Sequence, residues 1–197
     1  MRMKILAVGD KESPYLWDHF DRERFKDVNL VISTGDLSAD YLDFLVSMLN
    51  VPLLYVPGNH DESYLVQEPA GCENIDGKFF TFKGIRIIGF GGSPRYKEGP
   101  FQFTEREMKF RTLKMRPRLW KNDGFDILVA HSPAHNLGDG KDDCHTGFSV
   151  FNKIIDQYHP KYFLHGHQHL SYGGQNRIIQ YNGTTIINCD GYHLFEY

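Results

Sequence analysis

The sequence predicts an α/β protein with a mixed sheet system, its helices covering the outer faces. Three observations carry this. Short apolar runs rich in Val, Ile, Phe and Tyr recur between Gly, Pro, Asn and Asp. Segments with apolar residues at helical spacing fall between those runs. The last quarter turns to strand and hairpin.

The first strands are expected at 4–8 (KILAV), 28–33 (VNLVIS) and 52–56 (PLLYV). All three are nearly continuous in apolar residues, as strands buried on both faces are. Their length and β-branching separate them from buried helix. Ser38 is placed to cap a helix over 39–50, where Leu42, Leu45, Val46 and Leu49 recur at i, i+3, i+4 and i+7. Strands follow at 78–82 (KFFTF) and 85–90 (IRIIGF). A helix over 103–117 opens on a capping box, Thr104 with Glu107, and Phe103 and Met108 are spaced to close a hydrophobic staple across it. After a strand at 126–130 (DILVA), Phe151, Ile154, Ile155 and Tyr158 mark a helix in GFSVFNKIIDQYHP that stops before Pro160. Strands at 161–165, 177–182, 184–189 and 193–197 complete the chain, with Asn182-Gly183 as a hairpin turn. No repeat or low-complexity linker interrupts them, so one domain is expected across 1–197.

A chain of 197 residues can bury a substantial core, and 41% hydrophobic with 24% charged residues is ordinary for a globular protein. The net charge of −3 argues against a whole-protein footprint for nucleic acid or anionic membrane. Cys72, Cys144 and Cys189 are odd in number and widely spaced, poor material for disulfides or a thiolate zinc site, which points to a reducing compartment. The apolar run in MRMKILAVGD is too short for a signal sequence or a membrane span, so a cytoplasmic location is expected.

The polar residues that follow the buried runs are the informative feature. Asp10, Asp36, Asn59-His60-Asp61, His131 and the series His165-Gly166-His167-Gln168-His169 each stand just past the carboxyl end of a run. In an open α/β sheet those ends converge on one edge, so residues distant in sequence can meet there. Any one of them alone reads as a turn, an N-cap or a structural histidine. Five in register do not. Asp, Asn and His without thiolates suit borderline divalent ions such as Mn, Fe, Co, Ni or Zn. There are too many ligands for one tetrahedral ion, whereas a carboxylate bridging two ions about 3.5–4 Å apart would use them all.

The series GD, GDL, GNHD, HSP and GHQH resembles the calcineurin-like metallophosphoesterase superfamily, from about Met3 to Tyr192. The stretches HSPAHNLGDGKDDCHTGF and NGTTIINCDGY look like its small single-domain branch, which includes phosphodiesterases. The resemblance implies a four-layer αββα sandwich of two mixed β-sheets flanked by helices. It implies a bridging Asp36, one site completed by Asn59, His131 and His167, and a second drawing on Asp10 and His169. His60 would stabilise the transferring phosphoryl oxygens or protonate the leaving oxygen, with Asp61 holding its imidazole in the useful tautomer. His165 falls outside the motif and reads as structural.

One position departs from the family pattern: where the first motif usually has histidine, this chain has Glu12. A carboxylate serves the same ions, so Glu12 is read as a ligand; the contrary reading is a weakened first site. The implied reaction is phosphate-ester hydrolysis by a hydroxide bound to two divalent ions, manganese first, with Asn59 and His60 balancing charge on phosphorus. The substrate would be a phosphate-ester small molecule or nucleotide-like compound, a diester ahead of a monoester, with nucleic acid not favoured and no membrane partner. The alternative is a metal-poor, non-catalytic interaction scaffold on the same fold. His145, in DDCHTGF, stands where relatives approach substrate, or is a structural loop histidine. Residues 95–121 carry nine Lys/Arg against three Glu, a local charge of +6. This is either a solvated helix face, the favoured reading, or a surface for a polyanion or phosphorylated partner, with Phe110 and Trp120 as stacking platforms.

Overall fold

The computed structural model describes residues 2–142, 144–170 and 176–197; the SYGG stretch at 171–174 lies outside them. Strands β1 (Lys4–Gly9), β2 (Val28–Ser33), β3 (Leu53–Tyr55) and β4 (Glu73–Asn74) run parallel in a first sheet. Strand β13 (Gly191–Glu196) closes its other edge antiparallel to β1. The second sheet draws on β5 (Phe79–Phe82), β6 (Ile85–Phe90), β9 (Ile127–Ala130), β10 (Tyr162–His165), β11 (Ile178–Tyr181) and β12 (Thr184–Asn188), in the order β11-β12-β10-β9-β6-β5. Its four inner strands are parallel and its edges antiparallel, so both sheets are mixed. A two-stranded ribbon, β7 (Ser93–Pro94) with β8 (Gln102–Phe103), stands apart from both.

Three apolar layers explain the continuous hydrophobic runs. Ile5 and Ala7 of β1 share a buried cluster with Ile127 and Val129 of β9, between the sheets. On the outer face of the first sheet, Leu6 and Val8 pack with Phe25 of α1 (Arg22–Phe25) and with Tyr41, Leu42 and Leu45 of α2 (Ala39–Leu49). On the outer face of the second, Leu128 and Ala130 pack with Met108, Met115 and Leu119 of α3 (Glu105–Lys121) and with Phe151 and Ile155 of α4 (Ser149–Tyr158). The result is a four-layer αββα sandwich. Alternate side chains of each central strand face a different layer, so neither face can be polar.

Local chemistry behaves as the sequence dictates at most ends. Ser38 Oγ accepts from the Tyr41 N–H at the start of α2. The Thr104–Glu107 capping box is formed, with Met108 fully buried and Phe103 packed against the same cluster. Asn182 and Gly183 both take positive φ, the type I′ geometry that pairs Tyr181 with Thr184. One helix differs. Helix α3 runs through Pro117 to Lys121, because Pro117 and Leu113 one turn before it are exposed and solvent can accommodate the lost backbone bond. The two-residue strands β4, β7 and β8 are too short to show periodicity. Cys72, Cys144 and Cys189 are free thiols. No helix among the described residues is long and apolar enough to cross a membrane.

The second sheet is pinned to the end of α3 by one guanidinium. Arg86 on β6 bonds Asp126 through Nε at 3.0 Å and Nη2 at 2.7 Å, and its Nη1 donates to the carbonyls of Asn122 and Asp123 at 2.6 Å. Burial works against the Asp126 carboxylate, but the side chain and backbone N–H of Arg86 outweigh it and hold its pKa below the ordinary range. A depressed pKa contributes stability above the unfolded value of about 3.9 that is lost as pH falls through the folded value. Asp126→Asn should therefore lower unfolding free energy by about 1–3 kcal/mol at neutral pH, with the gap to wild type closing below about pH 4. Urea titrations at the two pH values check this; an equal deficit at both would exclude the ion pair as its cause.

Candidate metal centre

The carboxyl ends of β1, β2 and β3 are level, since Val8 pairs with Ser33 and Ser33 with Tyr55. Those of β6, β9, β10 and β12 are level in the second sheet. The loops leaving both edges meet. His131, after β9, reaches across to the first sheet, its Nδ1 2.8 Å from the Thr34 carbonyl oxygen. His167, after β10, gives its backbone N–H to Asp10 Oδ1 at 2.7 Å.

These contacts decide which atoms are left to bind. Thr34 O can only accept, so His131 Nδ1 carries a proton, and Nε2 is the ring nitrogen left to meet either a second proton or a metal ion. Nε2 faces Asn59 Oδ1 at 2.9 Å and Asp36 Oδ2 at 3.4 Å. Acceptors converging in so buried a place repel unless a proton or a metal ion lies among them. His167 repeats the logic: Nε2 is 2.6 Å from the Cys144 carbonyl, which leaves Nδ1 bare. One ligand atom each from Asp36, His131 and His167 lie within 4.8 Å of one another. Two imidazoles, a carboxylate and an amide oxygen fit a borderline divalent ion.

The backbone is shaped for this approach. Asp10, Asp36 and His167 all adopt positive φ, which non-glycine residues rarely do. A Cβ on Gly58 would stand 2.0 Å from Asp36 Oδ1, and one on Gly166 would stand 2.6 Å from Asp10 Oδ2. Glycine is what lets those carboxylates pass.

Electrostatics mark the same atoms. Burial opposes charge on His131, but Asp36 outweighs it and pushes the imidazole up to about 9. Burial likewise opposes the Asp36 carboxylate, yet His131 and the His60 N–H hold it below the usual range. Without another cation, the cluster keeps a proton at His131. Burial pushes Asp10 up to about 7, and its Oδ2 is buried without a hydrogen-bond partner, a second lone pair that a cation would satisfy. His165 is buried, lowered by that burial to about 4, and bonded to the Gly166 carbonyl, a structural place.

The remaining expected residues divide. Asn59 is 1% exposed and belongs to the cluster, whereas His60 is exposed, its backbone N–H on Asp36 Oδ1 at 2.8 Å. Asp61, expected to orient the His60 ring, turns inward instead: its Oδ2 accepts from the N–H groups of Gly58 at 2.6 Å and Asp36 at 2.8 Å. Unpaired loop donors next to it outcompete an exposed imidazole, so Asp61 stiffens the loops. Glu12, expected beside Asp10, is bonded through Oε1 to the N–H and hydroxyl of Ser38, at the positive N-terminus of α2. His169 lies 3.4 Å from Asp190 Oδ1. Among the described residues, Glu12 and His169 form no second tight cluster with Asp10 and Asp36. His145 does come to the site, its ring 5.5 Å from that of His167 and its Nδ1 2.7 Å from Asp142 Oδ1.

Sequence reasoning missed three positions. Thr34 contributes a carbonyl, which every residue has. Asp190 is in NCDGY, but nothing local links it to His169. Tyr96 Oη accepts from Asn59 Nδ2 at 3.1 Å, which turns the amide oxygen toward His131. Its loop shows only a Gly- and Pro-rich stretch.

The family model described as Calcineurin-like phosphoesterase matches residues 3–171. Among solved structures, TT1561 of Thermus thermophilus is similar in fold, with TM-score 0.65 and 16% identity over 96% of this chain and 90% of that one. Vps29 of Chaetomium thermophilum matches at TM-score 0.42 and 14% identity, covering 94% of this chain and 70% of that one. A Vps29 double mutant from Entamoeba histolytica matches at 0.42 and 12%, covering 95% and 74%. No curated protein matches the chain.

A divalent ion held by these atoms stabilises the folded chain by about 2.7 kcal/mol at a hundredfold excess over Kd. Tyr96→Phe should keep the metal-free stability and weaken manganese affinity about 10–100-fold, the usual cost of losing a group that orients a ligand. Thermal melts across a manganese titration read both. Wild-type affinity in the variant would remove Tyr96 from the site.

Proposed function

Because the chain belongs to the calcineurin-like phosphoesterase family, we propose that it is a metal-dependent phosphoesterase acting on phosphodiesters ahead of monoesters. The convergence of His131 Nε2, Asn59 Oδ1 and Asp36 Oδ2 on one buried volume, with His167 beside them, a place only a proton or a metal ion can fill, is the observation that carries this reading. Asp36, Asn59, His131 and His167 would hold one ion. Asp10, sharing Asp36, would hold a second with His169 and Glu12. Two divalent ions held there, manganese first, would supply Lewis acidity to the phosphoryl oxygens and lower the pKa of water toward neutral.

The side chains then have separate tasks. His60 stands at the exposed rim, anchored by its own N–H on Asp36, so its ring is free to give a proton to the leaving oxygen or to hold a phosphoryl oxygen. Asp61 keeps the Gly58 and Asp36 backbone fixed beneath it. His145, braced by Asp142 and close to His167, lines the approach. A diester is preferred on charge. Among the described residues the site includes no Arg or Lys to clamp the extra charge of a monoester dianion, which a diester does not need.

One observation favours a second reading. Glu12 is bonded to Ser38, which leaves the Asp10 side short of a ligand and fits a one-ion or non-catalytic scaffold. Hydrolysis of bis-p-nitrophenyl phosphate with manganese separates the two. Asp36→Asn should abolish both turnover and the manganese-dependent thermal shift. His60→Ala should keep the shift and lose about 100-fold or more in kcat. Metal counts should fall from two per chain toward one in Glu12→Ala. A single ion in wild type, with His60→Ala as active as wild type, would sink the hydrolase reading in favour of the scaffold.

A further inference from the structure

Helix α3 has two unlike sides. Met108, Thr112, Met115 and Leu119 are buried on the second sheet. The outward side carries Phe110 at 58% exposure, Leu113 at 37% and Trp120 at 87%, with Pro117 exposed between the last two. Positions 110, 113, 117 and 120 fall on one stripe, about 15 Å long at 1.5 Å per residue. Six exposed cations flank it: Arg106, Lys109, Lys114, Arg116, Arg118 and Lys121.

Among the described residues none of the six stands in an ion pair. The acids of α3 are used at its N-terminus, Glu105 accepting from the Ser149 N–H and Glu107 bonding Thr104 and Arg95. Arg111, which counts in the local +6, is not part of this face. It is half-buried, bonded to Asp76 and the Gly91 carbonyl, with its guanidinium 4.3 Å from the Phe103 ring centroid. Lys153 of α4 extends the basic surface beside Lys109 and Arg116, and Asp123 borders Trp120 at the far end.

From this face we infer that α3 docks the protein on an anionic phospholipid surface, with Phe110, Leu113 and Trp120 at the head-group boundary and the flanking Lys and Arg among the lipid phosphates. Three features select this occupant. Six cations on each ridge, none in an ion pair among the described residues and Lys114 lying 4.6 Å over the Phe110 ring, would repel a second copy laid against the same face. Leu113 and Pro117 fill the space between the two aromatics, so the stripe asks for an apolar medium rather than for successive stacked bases. Trp, Phe and Leu beside Lys and Arg is the composition of interfacial helices. The net charge of −3 excludes adhesion by the whole surface but not by this helix, because screening confines the field of the remaining acids to about 8 Å.

The test is co-sedimentation of the full chain with vesicles of phosphatidylserine in phosphatidylcholine, beside vesicles of phosphatidylcholine alone. Tryptophan emission is followed in parallel. Wild type should partition onto the anionic vesicles, shift its emission to the blue, and be released by salt. The pair Phe110→Ala with Trp120→Ala, and separately Lys109→Gln with Arg116→Gln and Lys121→Gln, should each weaken partition by about tenfold or more. All these positions are exposed, and unchanged thermal melts confirm folding. No partition onto anionic vesicles, equal partition onto both, or wild-type partition by the variants overturns the proposal. Binding to a single-stranded RNA homopolymer in place of vesicles overturns it in favour of nucleic acid.

Discussion

The bond from His131 Nδ1 to the Thr34 carbonyl is the contact on which the rest of the site depends. It crosses from the second sheet to the first, so it brings two edges together at one place. It also fixes a proton on Nδ1 and turns Nε2 toward Asp36 and Asn59. A carbonyl in that position is acceptor-only, and no side-chain rotation can reverse the choice. The His167 N–H on Asp10 makes the companion crossing, and together they place ligand atoms from both sheets around one volume.

That arrangement costs the folded chain something. Asp10, Asp36 and His167 hold positive φ, Asp10 Oδ2 is buried without a partner among the described residues, and the half-buried carboxylates of Asp10 and Asp36 face one another's field. A sequence selected for stability alone would not keep a buried cluster of acceptors that needs a proton or a metal ion to hold it together. The surroundings over-determine the geometry instead: Asp61 binds two backbone N–H groups, Tyr96 holds the Asn59 amide, and glycines at 58 and 166 leave room for carboxylate oxygens. Each removes a way for the cluster to relax without a cation.

The segment 95–121 shows how one stretch serves several ends. Its first half forms the small ribbon and brings Tyr96 to Asn59. Arg95 and Arg111 are drawn inward, to Glu107 and to Asp76. What remains outward on α3 is an apolar stripe with unpaired cations. Charge counted along the sequence merges these roles, because it does not distinguish a guanidinium that braces a loop from one that faces solvent.

The sequence alone determined the longer strands and helices and their order, the capping box, the Asn-Gly hairpin and the placing of Asp, Asn and His just past buried strands; the four layers came with the family resemblance. Those local features follow from rules that act over two to four residues: side-chain alternation, helical spacing and turn chemistry. Tertiary structure decided which of those residues meet. His167 and Asp10 are 157 positions apart, and His131 and Thr34 are 97 apart. Glu12 went to Ser38 and Asp61 to backbone N–H groups because nearby donors at a helix start and a tight loop outcompete the partners their motif suggested. Tyr96, Thr34 and Asp190 had no local mark at all. A hydrogen bond depends on the direction of two groups in space, and periodicity along a chain carries no information about that direction once the chain has crossed from one sheet to the other.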